Sequence, residues 1–382
     1  MATRVSAIKR LFQQILLPAI IFQSVLIGGA YATGREIVEY GARFGSGGLW
    51  SLVAIGVGFS VITAACYEFA RVTRAFDYRS LVRELIGPLW PVFDVLYVTM
   101  VVVVIAVVSA ASGAIGEQVL GLPHAVGVGL IMVLVALINA AGRRVIEHFK
   151  SIGSVVLYVG YLLFAGSVIR ATAGNIGPAL AGAQDPVDGP GIVALLGIGL
   201  LYVGYNLAGL PSTLFVLDRQ TARWQAVAAG ILTGVLSTVP FLLTYLAVLG
   251  FYPDPEVLGA EVPWLVMLER INGGWLVGLF AVVVLWTLVE TSVGMIHAIT
   301  DRISANLREA GKDPLTGRQA GALTLAVLLV AALLSRLGII ALVAQGYTLM
   351  AYGFLTLFAL PLLTYGMWRV LRSPNAPQGP AT

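Results

Sequence analysis

The stretch Gly28-Gly29-Ala30-Tyr31-Ala32-Thr33-Gly34 interrupts the first hydrophobic segment of this 382-residue chain. A second interruption, Gly204-Tyr205-Asn206-Leu207-Ala208-Gly209, falls inside the sixth segment. Hydrocarbon offers no hydrogen-bonding partner to unwound backbone, so such breaks persist at membrane depth only where they line a cavity or meet a ligand. Breaks at corresponding places in two halves of a chain predict a transporter with a binding site between them.

The composition indicates an integral membrane protein. Hydrophobic residues make up 58% of the chain and charged residues only 11%, well below the roughly 25% charged content of soluble domains. One cysteine and three histidines provide neither a disulfide framework nor the ligand spacing of a zinc site. The sequence carries no nucleophile elbow. We therefore expect that the protein is not an enzyme, that it has no nucleic-acid partner, and that it binds no cofactor other than a sodium ion.

Hydropathy predicts an all-α integral membrane protein with ten transmembrane helices, of which helices 1 and 6 are broken at mid-membrane. Each apolar window is about 20 residues long, enough to span about 30 Å of hydrocarbon. The first window follows Arg4, Lys9 and Arg10 but lacks a small-residue cleavage site, so we interpret it as a retained helix. The windows centre near residues 28, 59, 103, 131, 157, 204, 235, 290, 325 and 351.

The basic residues indicate the orientation of these helices. With the N-terminus in the cytoplasm, all but five of the 23 lysines and arginines lie on the cytoplasmic side, as the positive-inside rule requires. Both termini are then cytoplasmic, and we expect a multi-pass protein in contact with the lipid bilayer. The five outer residues are Arg35, Arg43, Arg170, Arg270 and Arg336.

The ten segments divide into two similar halves. Segments six to ten follow segments one to five at a nearly constant offset, and an odd number of segments in each half gives the halves opposite orientations. This pattern predicts a five-plus-five inverted repeat, with a first repeat over 1–172, an outer linker over 173–190, a second repeat over 191–372 and a disordered tail over 373–382. The long outer loop of the second half contains a helical stretch, Trp264–Ile271, that we expect to act as an external gate.

The two breaks supply the candidate solute site. Glycines allow the backbone to approach a ligand closely, and the half-helix that begins near the end of the first break attracts an anion such as a carboxylate. The alternative role of the glycines is close helix packing. Asn206 has a local alternative too, which is to satisfy its own backbone. The candidate solute-binding residues are Gly28, Gly29, Gly34, Tyr205 and Asn206.

A pair of hydroxyl residues in segment eight, Thr291 and Ser292, is the candidate cation site. Hydroxyl oxygens suit a dehydrated sodium ion when carbonyl groups near Ile27 and Ala30, freed by the first break, complete its coordination. In the alternative interpretation both hydroxyls bond the preceding carbonyls of their own helix.

Ionisable residues within the segments are gate or proton-relay candidates, because such residues are unfavourable in hydrocarbon and usually face the protein interior. Glu36 and Glu39 form an outer gate or lie at the water interface. Glu68 pairs structurally with Arg71 or couples protons. On segment eight, one stripe consists of Glu290, Gly294, His297 and Asp301, which are spaced 4, 3 and 4 residues apart. This stripe is the relay expected if protons drive transport. The candidates are Glu36, Glu39, Glu68, Glu290, His297 and Asp301.

Three stretches resemble the LeuT-type fold of the amino acid, polyamine and organocation superfamily. Phe44-Gly45-Ser46-Gly47-Gly48-Leu49-Trp50 is similar to a glycine-rich turn of neurotransmitter:sodium symporters, and Tyr67-Glu68-Phe69-Ala70-Arg71 to their second helix. Thr291-Ser292 resembles the hydroxyl pair of their shared sodium site. Gly34 stands where those symporters carry an asparagine, which argues against a second sodium site, and their two terminal helices are lacking.

A narrower resemblance is to the bacterial YkvI-type membrane proteins, and it implies a location in a bacterial cytoplasmic (inner) membrane. It rests on Gly28-Gly29-Ala30-Tyr31-Ala32-Thr33-Gly34-Arg35-Glu36-Ile37 together with Val203-Gly204-Tyr205-Asn206. The fold-level resemblance implies alternating access, in which a bundle of helices one, two, six and seven moves against helices three, four, eight and nine.

These observations predict a symporter. We expect it to move a small carboxylate-bearing or zwitterionic solute, such as an amino acid or a related amine, by alternating access coupled to sodium or protons. The alternative is a solute sensor or assembly partner that kept the fold without transport. The expected partners are the solute and the bilayer, and a homodimer is an open alternative.

Overall fold

The computed structural model describes residues 10–141, 143–186, 189–309 and 311–372 and, among these, leaves out the side chains of 29–30 and 141–156. The predicted tail, 373–382, lies outside the described residues. Every element in the described part is helical. The helices are α1 (Phe12–Leu26), α2 (Arg35–Tyr40), α3 (Gly48–Thr73), α4 (Tyr78–Ile86), α5 (Trp90–Leu120), α6 (His124–Ala141), α7 (Arg143–Ala171), α8 (Ala173–Leu180), α9 (Ile192–Asn206), α10 (Arg223–Leu249), α11 (Pro255–Gly259), α12 (Pro263–Arg270), α13 (Gly274–Glu309), α14 (Gly317–Ser335) and α15 (Gly338–Arg372).

The helices make this a multi-pass membrane protein. Among the described residues, seven helical stretches are long and apolar enough to cross a membrane by themselves. An eighth crossing is counted when Leu157–Ala171 and Ala173–Leu180, which meet at 80°, form one span. The predicted segments one and four correspond to the shorter apolar helices α1 and α6. The number of ten crossings and the inverted repeat therefore stay predictions.

The first segment is broken where its glycines predict. Helix α1 ends at Leu26, and Gly28 is extended (φ −80°, ψ 174°) before a 3-10 turn, Gly29–Thr33. Gly34 then adopts a left-handed conformation (φ 85°, ψ −8°), which a residue without a Cβ adopts without strain, and α2 begins at Arg35. The backbone therefore changes direction between two half-helices.

The sixth segment differs from the sequence prediction. Helix α9 ends at Asn206, and a 3-10 helix continues directly from Leu207–Arg219, with Pro211 inside it. The unwound gap expected over 204–209 is not seen. A 3-10 helix keeps the backbone paired through i to i+3 hydrogen bonds, so the change of helix type takes the place of a gap.

The helices pack in two groups. Helix α3 packs against α9 and α10, and α1 packs against α10 and the 3-10 helix of segment six. In the other group, α5 packs against α6, α13 and α14, while α13 packs against α7. The first group contains the predicted segments one, two, six and seven, which the resemblance implies as the moving bundle. The break in segment one lies between the two groups, because its 3-10 turn contacts both α5 and α13.

Candidate functional site

A cavity of about 60 Å³ lies beside the first break. It is formed by α1 and α2, the junction of α9 with its 3-10 helix, and one face each of α5, α13 and α15. Most of its surface is apolar, as is typical of small-molecule sites in which a few polar groups fix the orientation of the ligand. The apolar lining consists of Phe22, Val25, Leu26, Met100, Val101, Val104, Ala208 and Met295.

Several predicted site residues meet at this cavity. Gly28 lines it from the first break, Tyr205 and Asn206 from the end of α9, and Thr291 from α13. Glu36, a gate candidate in the sequence, lines it as well. The first break and the end of α9 therefore border one cavity.

Other predicted site residues lie elsewhere. Gly34 is not in the cavity lining; a Cβ at this position would lie 3.0 Å from Cδ1 of Trp264, so Gly34 faces α12. Ile27 is buried after the end of α1. Gly29 and Ala30 lie in the 3-10 turn, and their contacts lie outside the described part of the chain.

Glu36 and Tyr205 form the central polar contact of the cavity. The Tyr205 hydroxyl donates a hydrogen bond of 2.5 Å to Oε2 of Glu36, and the Glu36 residue is only 4% exposed. No ion pair of Glu36 is present among the described side chains. A carboxyl group buried in this way is rarely a packing residue, because burying a charge is strongly unfavourable without a partner.

Aromatic rings surround this contact. The Tyr205 ring lies 4.6 Å from that of Tyr347 and 5.5 Å from that of Tyr40, measured between centroids. The Tyr40 hydroxyl donates to the carbonyl of Val343, which connects α2 to α15. Tyr347 and Tyr97 also line the cavity. The sequence does not distinguish these two tyrosines from the many other polar residues of the predicted helices.

Asn206 lines the cavity but also has the local role that the sequence leaves open. Its Nδ2 donates a hydrogen bond of 2.9 Å to the carbonyl of Tyr202, one turn earlier in α9. Part of its hydrogen-bonding capacity is therefore used by its own helix.

The first break meets α13 at the predicted cation site. A Cβ on Gly28 would lie 2.6 Å from Oγ1 of Thr291, so only a glycine allows this approach. Next to Thr291, the Oγ of Ser292 is buried and has no hydrogen-bond partner among the described residues. One turn earlier, Thr287 donates to the carbonyl of Val283, as membrane hydroxyls usually do. The Ser292 hydroxyl therefore has no partner among the described residues, whereas the Thr287 hydroxyl is bonded to its own helix.

A vestibule of about 390 Å³ continues from the cavity along α13 toward its C-terminal end, which is cytoplasmic in the predicted orientation. Glu290 and Gly294 line this vestibule. His297 and Asp301 line a different cavity, beside α6 and α14, where His297 Nε2 lies 3.2 Å from Asp301 Oδ2. The predicted single stripe is thus divided between two cavities, because different helices pack along the length of α13.

The opposite end of the cavity is covered. Arg35 donates hydrogen bonds of 2.7 Å and 3.2 Å to the carbonyls of Leu258, in the last turn of α11, and Ala260, in the loop that follows it. Arg35 also pairs with Glu39 at 3.0 Å, which in turn pairs with the exposed Arg43. The loop and α12 thus occupy the position of the predicted external gate.

Glu68 lies apart from the cavity. Its two carboxylate oxygens accept hydrogen bonds of 2.8 Å and 2.7 Å from Arg71, three residues later in α3. This is the structural pairing that the sequence offered as one of two alternatives. Among the described residues, no group of three or more histidine, cysteine or acidic side chains is arranged to hold a metal ion.

No protein-family model matches the chain, and no curated protein matches it significantly. Solved structures do share its fold. Mhp1 in an inward-facing conformation matches with a TM-score of 0.60 at 14% identity, over 92% of this chain and 77% of Mhp1. MhsT in complex with L-phenylalanine matches with a TM-score of 0.58 at 13% identity, over 93% of this chain and 97% of MhsT. A Na⁺-coupled sialic acid symporter in a substrate-bound, outward-open state matches with a TM-score of 0.50 at 13% identity, over 93% of this chain and 86% of that symporter.

At such low identity these similarities establish the fold and leave the activity of this chain open. The LeuT-type transporter fold expected from the sequence is confirmed. The narrower resemblance to YkvI-type proteins is not tested by them.

Proposed function

We propose that this protein is a sodium-coupled secondary transporter that moves a small solute, such as an amino acid or a related amine, by alternating access. The solute binds in the cavity between the first break and the end of α9, in contact with Tyr205 and Asn206. The protein works in a bacterial cytoplasmic membrane with both termini in the cytoplasm. The shared fold with a Na⁺-coupled symporter supports this proposal.

The observation that carries the coupling proposal is the buried Ser292 Oγ without a hydrogen-bond partner. A buried hydroxyl that lacks a partner is unfavourable, and a cation that takes its oxygen as a ligand gives that oxygen a partner. Carbonyl groups of an unwound helix are the other ligands that sodium takes in such folds. In this proposal the carbonyls of Ile27 and Ala30 and the hydroxyls of Thr291 and Ser292 hold one sodium ion.

The proposed direction of access follows from the two ends of the cavity. The vestibule along α13 leads toward the predicted cytoplasmic side, whereas Arg35 and α12 cover the predicted outer side. The described conformation is thus closed outward, and transport requires a second conformation in which the loop between α11 and α12 moves away.

Uptake into liposomes tests the proposal. Purified protein is reconstituted, and uptake of a panel of radiolabelled amino acids and amines is measured with an inward sodium gradient, with potassium in its place, and with a proton gradient. The Ser292→Ala variant should lose sodium-dependent uptake. Thr287→Ala is the matched control, because it removes from the same helix, α13, a hydroxyl that already donates a hydrogen bond to its own backbone.

The outcomes separate the alternatives. Sodium-driven uptake that Ser292→Ala abolishes and Thr287→Ala retains supports the proposal. Uptake driven only by protons contradicts sodium coupling and favours a role for Glu36 or Glu290. Solute binding without uptake under any gradient contradicts transport and supports the sensor alternative.

A further inference from the structure

Among the described residues, the charged side chains that line the solute path are all acidic. The cavity carries Glu36 and the vestibule carries Glu290, and no lysine, arginine or histidine is among the described residues that line either space. A cleft lined by charges of one sign concentrates ligands of the opposite sign and repels those of the same sign. The path therefore favours a solute with a positive charge.

The surroundings of Glu36 are those of an ammonium site. Its carboxyl group is held in place by the Tyr205 hydroxyl at 2.5 Å, and the rings of Tyr205 and Tyr347 lie 4.6 Å apart beside it. A cation gains from contact with aromatic faces, most of all where water is excluded. A buried carboxylate gains an ion partner at the same time. No arginine or lysine in the described part of the chain makes an ion pair with Glu36, so an ammonium group on the solute would supply the ion partner that this carboxyl group lacks among the described residues.

The size of the cavity limits the solute. A water molecule needs about 10–15 Å³ of cavity volume. The cavity of about 60 Å³ therefore has room for about four to six groups of the size of water. An organic ammonium ion with a short apolar chain fits this volume, and the chain would contact Met100, Val104 and Met295.

We propose that the solute is a small organic ammonium ion, bound by the Glu36 carboxylate beside the Tyr205 and Tyr347 rings, and that a carboxylate on the solute is dispensable. This inference rests on the proposed function, because it names the charge class of the transported solute. It is separate from sodium binding, since Glu36 lies on α2 and the sodium ligands Thr291 and Ser292 lie on α13.

Thermal unfolding of the purified full-length protein in sodium buffer tests the charge class. The probes are n-propylammonium chloride, 1-propanol and sodium acetate, which have four non-hydrogen atoms each in the organic group but differ in charge, and glycine as a zwitterion. Ligands of this size bind no tighter than roughly tens of micromolar, so each is titrated into the millimolar range. A ligand that binds only the folded protein raises its unfolding temperature.

We expect n-propylammonium to raise the unfolding temperature, and 1-propanol and acetate to leave it unchanged. Glu36→Gln keeps the shape of the side chain and should abolish the shift, whereas Glu117→Gln, at an exposed carboxyl near the end of α5, should retain it. The comparison among ligands needs only the unaltered protein, so it stands even if Glu36→Gln does not fold.

Three results would overturn the inference: an equal shift with 1-propanol, a shift with glycine but none with n-propylammonium, or an undiminished n-propylammonium shift in folded Glu36→Gln. The last result would make Glu36 a protonated hydrogen-bonding group. The liposome assay keeps the two proposals distinct. Sodium-driven uptake of a solute without an amine refutes the ammonium site and leaves transport intact, whereas Glu36-dependent binding of n-propylammonium without any uptake supports the site and refutes transport.

Discussion

Arg35 is the residue whose replacement should open the outer end of the cavity. Its side chain is only 5% exposed and donates two hydrogen bonds to the carbonyls of Leu258 and Ala260. A hydrogen bond from a charged group contributes about 1.5 to 3 kcal/mol. If Arg35→Ala removes the equivalent of one such bond from the closed state, the opening equilibrium rises about 10-fold to 160-fold.

The opening is measured by thiol labelling. Val262 is fully buried in the loop before α12, and the single native cysteine, Cys66, is also buried. A Val262→Cys variant in a Cys66→Ser background is labelled with a membrane-impermeant maleimide, with and without Arg35→Ala. We expect Arg35→Ala to accelerate labelling at least about tenfold, because labelling follows the population of the open state when opening and closing are fast.

The matched control is Arg43→Ala. Arg43 pairs with the same carboxylate, Glu39, as Arg35 does, but its side chain is 47% exposed and makes no described hydrogen bond to the loop. Exposed ion pairs contribute about 0 to 1 kcal/mol, so labelling should change little. Equal labelling rates with and without Arg35→Ala, or the same acceleration in Arg43→Ala, would show that the loop bonds of Arg35 do not hold the outer end closed.

Two further predictions concern sodium and stability. Gly28→Ala places a Cβ 2.6 Å from Oγ1 of Thr291 and should remove the extra stability that sodium confers over potassium. That extra stability is about 2.7 kcal/mol when the sodium concentration is 100 times its dissociation constant. If thermal unfolding of Gly28→Ala still differs between sodium and potassium as it does in the unaltered protein, the sodium site is contradicted. Glu68→Gln should lower the free energy of unfolding by about 1 to 3 kcal/mol, because it weakens a buried ion pair with Arg71. Glu309→Gln is the control: it weakens a half-exposed ion pair with Arg79 and should change the free energy of unfolding by less than about 1 kcal/mol. Equal losses of the two variants in denaturant titrations would contradict this prediction.

The first break was predictable from the sequence because its cause is local. Gly28 and Gly34 each occupy a position that a side chain would disturb, the first by a close approach to α13 and the second by its positive φ. The helix type after Asn206 was less predictable. Glycine and proline in that stretch indicate a departure from the α-helix, but they are compatible with an unwound gap as well as with a 3-10 helix. Packing against the neighbouring helices decides which of the two forms.

The roles of individual polar residues were the least predictable part of the site. Glu36 and Glu39 are three residues apart and would share a face of a long helix, yet Glu36 faces the cavity and Glu39 pairs with two arginines. Residues three apart differ by about 60° around a helix axis, and a crowded crossing of half-helices is enough to separate them. Tyr347 shows the same limit, because it reaches the cavity from α15, more than 300 positions after Glu36, and no local pattern records such a contact.

Helix α2 joins the solute site to the outer closure in one short rigid element. It has only six residues, and its first two, Arg35 and Glu36, are rotated by about 100° from each other around the helix axis. Arg35 therefore reaches the loop before α12 while Glu36 reaches Tyr205 in the cavity. A helix of this length moves as one body, so a displacement that breaks the loop bonds of Arg35 also moves the carboxyl group of Glu36 relative to α9. Occupancy of the cavity and closure of the outer end are then linked through α2 itself, because a ligand that fixes Glu36 against Tyr205 also fixes Arg35 against the loop.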